Sequence, residues 1–202
     1  SMLLTLPLLA FSAQAEPSFD CSKAGSDAEE AVCASEALAE LEVELSRLYG
    51  LALNGPNMSG DRASELKAMQ RGWVKGRDDC WKSGEGLEDC VAASYAMRID
   101  DLRTGYADAR EEEGESTGPF AYVCDGLGAV VSAVFVNTGE PLVSLRWRDA
   151  WIVLPLVESG SGGKYSADIP DRGTVTFWTK GDEALLDTAD GQELPCVVDE
   201  TG

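Results

Sequence analysis

The residue types of this chain leave few routes to catalysis. The 202-residue sequence contains no histidine, so it lacks the base of a serine–histidine–aspartate or cysteine–histidine site. Paired carboxylates can cleave a glycosidic bond, and Asp78–Asp79 and Asp182–Glu183 are adjacent acidic pairs. Adjacent residues of a strand face opposite ways, which argues against joint action on one bond. We therefore expect that the protein is not an enzyme, with a carboxylate glycosidase acting on peptidoglycan as the alternative.

Cysteine is the other reactive residue type, and the six cysteines are Cys21, Cys33, Cys80, Cys90, Cys124 and Cys196. None stands in a Cys-x-x-Cys pair of the kind that zinc sites use, so we expect disulfide bonds and neither a metal nor a cofactor. The first four allow three pairings. We favour the local bridges Cys21–Cys33 and Cys80–Cys90, and crossed pairings remain open.

The net charge of the chain is −20 at pH 7. Such a surface repels nucleic acid and anionic membranes, and it attracts a strongly basic protein. Simple solubility would also explain the charge, so the charge alone identifies no partner.

The amino-terminal residues have the pattern of an export signal. An apolar run at 3–11 precedes Ser12-Ala13-Gln14-Ala15, which has small residues at the positions that a signal peptidase reads. We expect residues 1–15 to be the remnant of a signal peptide. The run is too short for a membrane-spanning helix. A periplasmic or secreted protein is expected, in a compartment where thiols can oxidise.

The composition of the chain changes near residue 114. Alanine, leucine and glutamate at helical spacing dominate before that point, whereas valine, glycine, tryptophan and threonine in short alternating runs dominate after it. The charged, breaker-rich residues 111–119 are typical of a linker. The sequence thus predicts a helical domain over 16–110 and a β-domain over 120–202.

About three amphipathic helices are predicted in the first half. Ser26 and Glu29 form a capping box before the first helix, which Asn54-Gly55-Pro56 ends. Apolar residues recur at helical spacing in all three. They are Leu38, Leu41, Leu45, Leu48 and Ala52 in the first, Leu66, Met69, Trp73 and Cys80 in the second, and Val91, Tyr95, Ile99, Leu102 and Tyr106 in the third.

About eight short strands are predicted in the second half, separated by turn residues such as Asp125-Gly126 and Asp190-Gly191. They span 120–124, 129–137, 142–148, 151–157, 164–168, 174–180, 184–187 and 193–198. Closure into a small antiparallel barrel would remove the exposed sheet edges. A Cys124–Cys196 bridge would then tie the first strand to the last.

Two strings within the β-domain carry a family resemblance. Ser159-Gly160-Ser161-Gly162-Gly163-Lys164-Tyr165 precedes Thr176-Phe177-Trp178-Thr179-Lys180-Gly181-Asp182-Glu183-Ala184. Over residues 120–198, this order resembles the membrane-bound and periplasmic inhibitors of c-type lysozyme. That family implies a small β-barrel whose loop serine and strand lysine block the lysozyme cleft, here Ser161 and Lys180.

The same resemblance implies supporting roles for four neighbours of these two residues. Gly162 would let the loop backbone approach closely, Tyr165 would brace the loop, and Thr179 and Gly181 would frame the lysine. At Lys164, where the family commonly has arginine, a bidentate brace is not expected because lysine lacks the planar guanidinium.

The helical half resembles a second family over residues 19–106. The strings Phe19-Asp20-Cys21-Ser22-Lys23-Ala24, Glu30-Ala31-Val32-Cys33 and Gln70 to Cys80, followed by Cys90, are similar to the LprI-type lysozyme-inhibitor domain. No residue roles carry over. Together the two resemblances imply an inhibitor whose partner is c-type lysozyme, a basic protein. The alternative is an envelope-binding adaptor whose helical domain recognises another cell-envelope component.

Overall fold

The computed structural model of the protein describes residues 14–200, so most of the predicted signal peptide lies outside the described residues. The helical half contains five α-helices. They are α1 (Asp27–Ala34), α2 (Glu36–Asn54), α3 (Gly60–Asp78), α4 (Leu87–Gly105) and α5 (Ala107–Arg110), with short 3-10 turns at Cys21–Lys23 and Asp79–Lys82.

The prediction of about three helices was wrong because two residues interrupt the helical pattern. Ser35 has extended backbone angles, and its side chain accepts a hydrogen bond from the Leu38 backbone N–H. It therefore caps a new helix, which separates α1 from α2. Tyr106 is also extended, with a φ of −133°, and separates α4 from α5. The predicted cap at Ser26 is confirmed, since its side chain accepts from the Glu29 backbone N–H.

The helical core forms mainly between α2 and α4. The fully buried side chains include Leu48 and Tyr95, and the Tyr95 ring meets Trp73 edge-on with 5.0 Å between the ring centroids. Two residues of the predicted apolar pattern lie elsewhere. Met69 is exposed on α3, and Cys80 lies beyond the end of α3, in the 3-10 turn.

The second half is a closed antiparallel barrel of eight strands in sequential order. The strands are β1 (Ser116–Cys124), β2 (Val130–Val136), β3 (Leu142–Trp147), β4 (Ala150–Val157), β5 (Gly163–Ile169), β6 (Gly173–Lys180), β7 (Glu183–Asp187) and β8 (Glu193–Val198). The predicted barrel and its strand count are confirmed. Strand β1 begins at Ser116, inside the segment that the sequence predicts as a linker.

Three disulfide bonds crosslink the chain, two within the helical half and one within the barrel. The Cys21–Cys33 and Cys80–Cys90 bridges are the favoured local pairs. Cys124–Cys196 joins β1 to β8, where the two residues are direct cross-strand partners. This bond spans a sequence separation of 72 residues, and on the chain-entropy model it stabilises the fold by roughly 4 kcal/mol.

The helices pack against the outside of the barrel. Inward side chains such as Leu145 and Phe177 fill its interior. On the outer surface, Val134, Val136 and Leu142 are buried within the helical core. Helix α4 contacts strands β1, β2, β3 and β4. One side of the barrel exterior is therefore covered by helices, and strands β6–β8 lie on the other side.

A buried polar cluster fastens α4 to the barrel. The Asp100 side chain is fully buried and accepts hydrogen bonds from the Ser144 hydroxyl at 2.7 Å and the Arg146 guanidinium at 2.5 Å. The Trp151 indole N–H donates to the same Ser144 hydroxyl at 2.9 Å. Because a buried carboxylate is stable only when it is paired and hydrogen-bonded, these contacts fix the relative position of the two halves.

Candidate functional site

Ser161 and Lys180 line one groove on the outer face of the barrel. The groove has a volume of about 430 Å³ and lies over strands β6, β7 and β8. Its walls are built from Ser161, Trp178, Lys180, Glu183, Ala184, Leu185, Pro195, Cys196 and Val197. The two residues that the family resemblance selects, 19 positions apart in the sequence, are thus brought to one surface feature.

Hydrogen bonds to backbone carbonyls hold the Ser161 loop in place. The Trp178 indole N–H donates to the Ser161 carbonyl at 2.8 Å. The Ser159 hydroxyl donates to the Ser161 and Gly162 carbonyls, both at 3.2 Å. Within residues 14–200, the exposed Ser161 hydroxyl has no hydrogen-bond partner of its own. The loop backbone is therefore fixed while this hydroxyl stays available to a partner.

Gly162 occupies the tightest point of this loop. Its φ is +65°, and a Cβ placed there would lie 2.1 Å from the Thr179 carbonyl oxygen. Only glycine combines this left-handed backbone with so close an approach. The close approach that the sequence suggests is therefore made to strand β6 of the same chain, and it sets the position of Ser161 relative to Lys180.

Lys180 is the last residue of β6 and lies at a tight turn. Gly181, with a φ of +60°, leads through Asp182 into β7, where Glu183 is the cross-strand partner of Lys180. In the part of the chain that the structure describes, no carboxylate lies within 4.0 Å of the Lys180 ammonium. The side chain is exposed and offers three hydrogen-bond donors to a partner.

Tyr165, Thr179 and Gly181 line a different cavity, at the mouth of the barrel, with a volume of about 900 Å³. Tyr165 is buried against Phe135, with 5.8 Å between ring centroids, and burial raises the pKa of its hydroxyl. The Thr179 hydroxyl donates to the Gly163 carbonyl at 3.2 Å. Since strand residues alternate in direction, Thr179 faces inward and Lys180 outward. The predicted site residues thus divide between two neighbouring surfaces.

Trp178 positions the Ser161 loop, a role that the sequence did not reveal. Its indole N–H anchors the Ser161 carbonyl, and the Lys164 ammonium lies 4.8 Å from the centroid of its ring. Lys164 is directly opposite Trp178 in the β5–β6 register. The Lys164 side chain therefore packs on Trp178 through a cation–π contact, for which a planar guanidinium is not required.

Replacing Gly162 with alanine should weaken binding of a partner at this groove by about tenfold. The new methyl group would clash with the Thr179 carbonyl and disfavour the positive φ, displacing Ser161 at a cost of about 1–2 kcal/mol. Gly160→Ala is the matched control, because a Cβ there meets nothing within 4 Å. Binding titrations and thermal unfolding of both variants would measure the effect. Equal affinities for the two variants would contradict a fixed loop.

Metal-binding clusters and membrane-spanning helices are both absent from residues 14–200. No cluster of three or more cysteine, aspartate or glutamate side chains there is arranged to hold a metal ion. In the same range, no helix has the length and apolar character needed to cross a membrane.

Comparisons with known proteins match each half of the chain separately. Residues 122–194 match the family model described as membrane-bound lysozyme-inhibitor of c-type lysozyme, and residues 21–106 match the model described as lysozyme inhibitor LprI. The proteins named lipoprotein LprI from Mycobacterium bovis and Mycobacterium tuberculosis are each 27% identical over 172 residues, which is 84% of this chain and 79% of the relative. No solved structure matches the chain. Both predicted resemblances are confirmed: the helical half is similar to LprI, and the barrel half is similar to the membrane-bound inhibitors of c-type lysozyme.

Proposed function

We propose that this protein inhibits a c-type lysozyme by inserting Ser161 and Lys180 into the catalytic cleft. The observation that carries the proposal is their shared groove, in which the Ser161 backbone is anchored and the Lys180 ammonium has no ion-pair partner among the described residues. The two family matches, both to lysozyme inhibitors, support the general function.

The chemistry of the two side chains suits the target. A lysozyme cleft contains one carboxylic acid and one carboxylate. A serine hydroxyl can donate to or accept from the first, and a lysine ammonium can pair with the second. Both contacts would be shielded from water in the complex, where charged hydrogen bonds contribute most to specificity. Substrate would then be excluded from the cleft.

Charge and compartment fit the same function. The net charge of −20 would accelerate association with a basic enzyme by long-range attraction. Three disulfide bonds require an oxidising environment, and the relatives are named lipoproteins. We therefore place the protein in the periplasm or outside the cell, where it would protect the cell wall.

The helical half would act here by supporting the barrel. Helix α4 packs on β1–β4, whereas the groove lies over β6–β8, so a lysozyme seated in the groove need not touch the helices. The fixed packing of the halves also differs from two modules that move independently on a linker. Inhibition through the groove accordingly requires no contact from the helical half.

A cell-wall clearing assay would test this function. Adding the full-length protein to a c-type lysozyme and bacterial cell walls should slow the loss of turbidity in proportion to the inhibitor concentration. No change in the clearing rate would favour the adaptor function instead. Clearing by the protein without added lysozyme would show a glycosidase and contradict the proposal.

A further inference from the structure

The part of the barrel exterior that the helices leave uncovered includes β7, β8 and the exposed ends of β1 and β2, and it carries several large apolar side chains. Val123, Val130, Leu185 and Val197 have exposed fractions of 43%, 53%, 38% and 51%. They lie on β1, β2, β7 and β8. Scattered exposed apolar residues are ordinary on a protein surface, but a contiguous group marks an interaction site.

Strand register shows that these side chains form one surface. Across β6, β7 and β8, Trp178 is opposite Leu185, and Leu185 is opposite Pro195. Across β8, β1 and β2, Val197 is opposite Val123, and Val123 is opposite Val130. Directly opposed residues have Cβ atoms about 5 Å apart. We call these six residues the apolar face.

The two rows meet on β8. Pro195 and Val197 are two residues apart, so they project to the same side of the strand. Both line the groove with Ser161 and Lys180, as do Trp178 and Leu185. The apolar face is therefore continuous with the groove and extends from it across β1 to β2.

On the helix-covered side of the barrel, outward-facing apolar residues are buried. There Val134, Val136 and Leu142 also point outward, and the helices bury them. No element within residues 14–200 covers the apolar face in the same way. Burying an apolar surface of this kind against a partner is favourable, because it removes the surface from water.

We propose that the apolar face packs against the lysozyme molecule whose cleft receives Ser161 and Lys180, along the enzyme surface beside that cleft. This inference rests on the proposed function. Its continuity with the groove places the same partner over both. Charge disfavours a second copy of this chain as the occupant, because two molecules of net charge −20 repel each other, whereas a basic enzyme is attracted.

The double variant Val123→Thr/Val197→Thr would test the inference in the full-length protein. Threonine keeps the shape and strand preference of valine but adds a hydroxyl that would be desolvated on binding. Affinity for a c-type lysozyme should fall by about tenfold. Val43→Thr is the matched control, since Val43 has the same 43% exposed fraction as Val123 but lies on α2. Its affinity should equal that of the unmodified protein.

Several outcomes would overturn the inference. Unchanged affinity in the folded double variant would do so even if Lys180→Ala abolished inhibition, and the proposed function would then survive alone. Loss of binding in the Val43→Thr control would show that the loss of affinity is not specific to the apolar face.

Sedimentation could also reveal a dimer of this chain that the double variant dissociates without changing lysozyme affinity, which would assign the apolar face to a second copy. If the double variant misfolds, Val130→Thr repeats the test at the far end of the face, with about a threefold loss expected and no loss contradicting the inference.

Discussion

Replacing Lys180 with alanine is expected to weaken affinity for a c-type lysozyme by roughly 30-fold or more. Removing one partner of a desolvated charge pair costs about 2–5 kcal/mol, because the other charge stays buried and unpaired, and 1.4 kcal/mol corresponds to a tenfold change. The fold should not change, since Lys180 is exposed at the end of β6. Inhibition titrations and thermal unfolding of the variant would provide the measurement.

The controls for this experiment follow from the structure. Lys23→Ala removes the same charge from the helical half, where the Lys23 side chain is 83% exposed, and should leave inhibition nearly unchanged. Lys164 is unsuitable as a control because its ammonium packs over Trp178, which positions Ser161. Ser161→Ala should cost only about 0.5–1.5 kcal/mol. An equal loss for Lys23→Ala and Lys180→Ala would reduce the role of Lys180 to general charge.

Replacing Asp100 with alanine should lower the free energy of unfolding by about 3 kcal/mol, more than any other substitution proposed for this protein. The substitution leaves the Arg146 guanidinium and the Ser144 hydroxyl without their buried acceptor, and breaking a buried ion pair from one side is strongly destabilising. Chemical denaturation followed by circular dichroism would measure the shift in free energy of unfolding.

Asp101 offers a matched control one residue away. Its carboxylate lies 3.4 Å from the same Arg146 guanidinium, but its side chain is 36% exposed. Asp101 also lies 3.7 Å from the guanidinium of the buried Arg98, so Asp101→Ala should cost about 1–2 kcal/mol, less than Asp100→Ala. If both variants lost the same stability, the burial of Asp100 would not explain its effect.

Local patterns predict the barrel well but the helix boundaries poorly. Alternation of side chains and the turn residues between strands specify eight strands, because both signals act over a few residues. The helical period continues through Ser35, so a break there depends on whether its hydroxyl caps a new helix or faces solvent. The packing of α1 against α2 decides between these two positions of the hydroxyl, and the spacing of apolar residues does not predict that packing.

The same distinction between local pattern and packing applies to the proposed functional residues. The strings around Ser161 and Lys180 identify the two residues through resemblance. They do not show that Trp178 anchors the loop, because its indole could equally pack against the barrel. The Asp100 cluster is also invisible in the sequence, since its partner Ser144 lies 44 residues away and only the docking of α4 on β3 brings them together.

The helices that cover the barrel make the two halves depend on each other for stability, although each half resembles a different family. Each half matches its own family model, yet Val134, Val136 and Leu142 of the barrel are part of the helical core. Parting the halves would expose these side chains to water, at about 1.5–3 kcal/mol for each, and would leave Asp100 without Arg146. The borders of the two family matches are thus not the borders of two independently stable units, and the stability of the groove over β6–β8 depends on both halves.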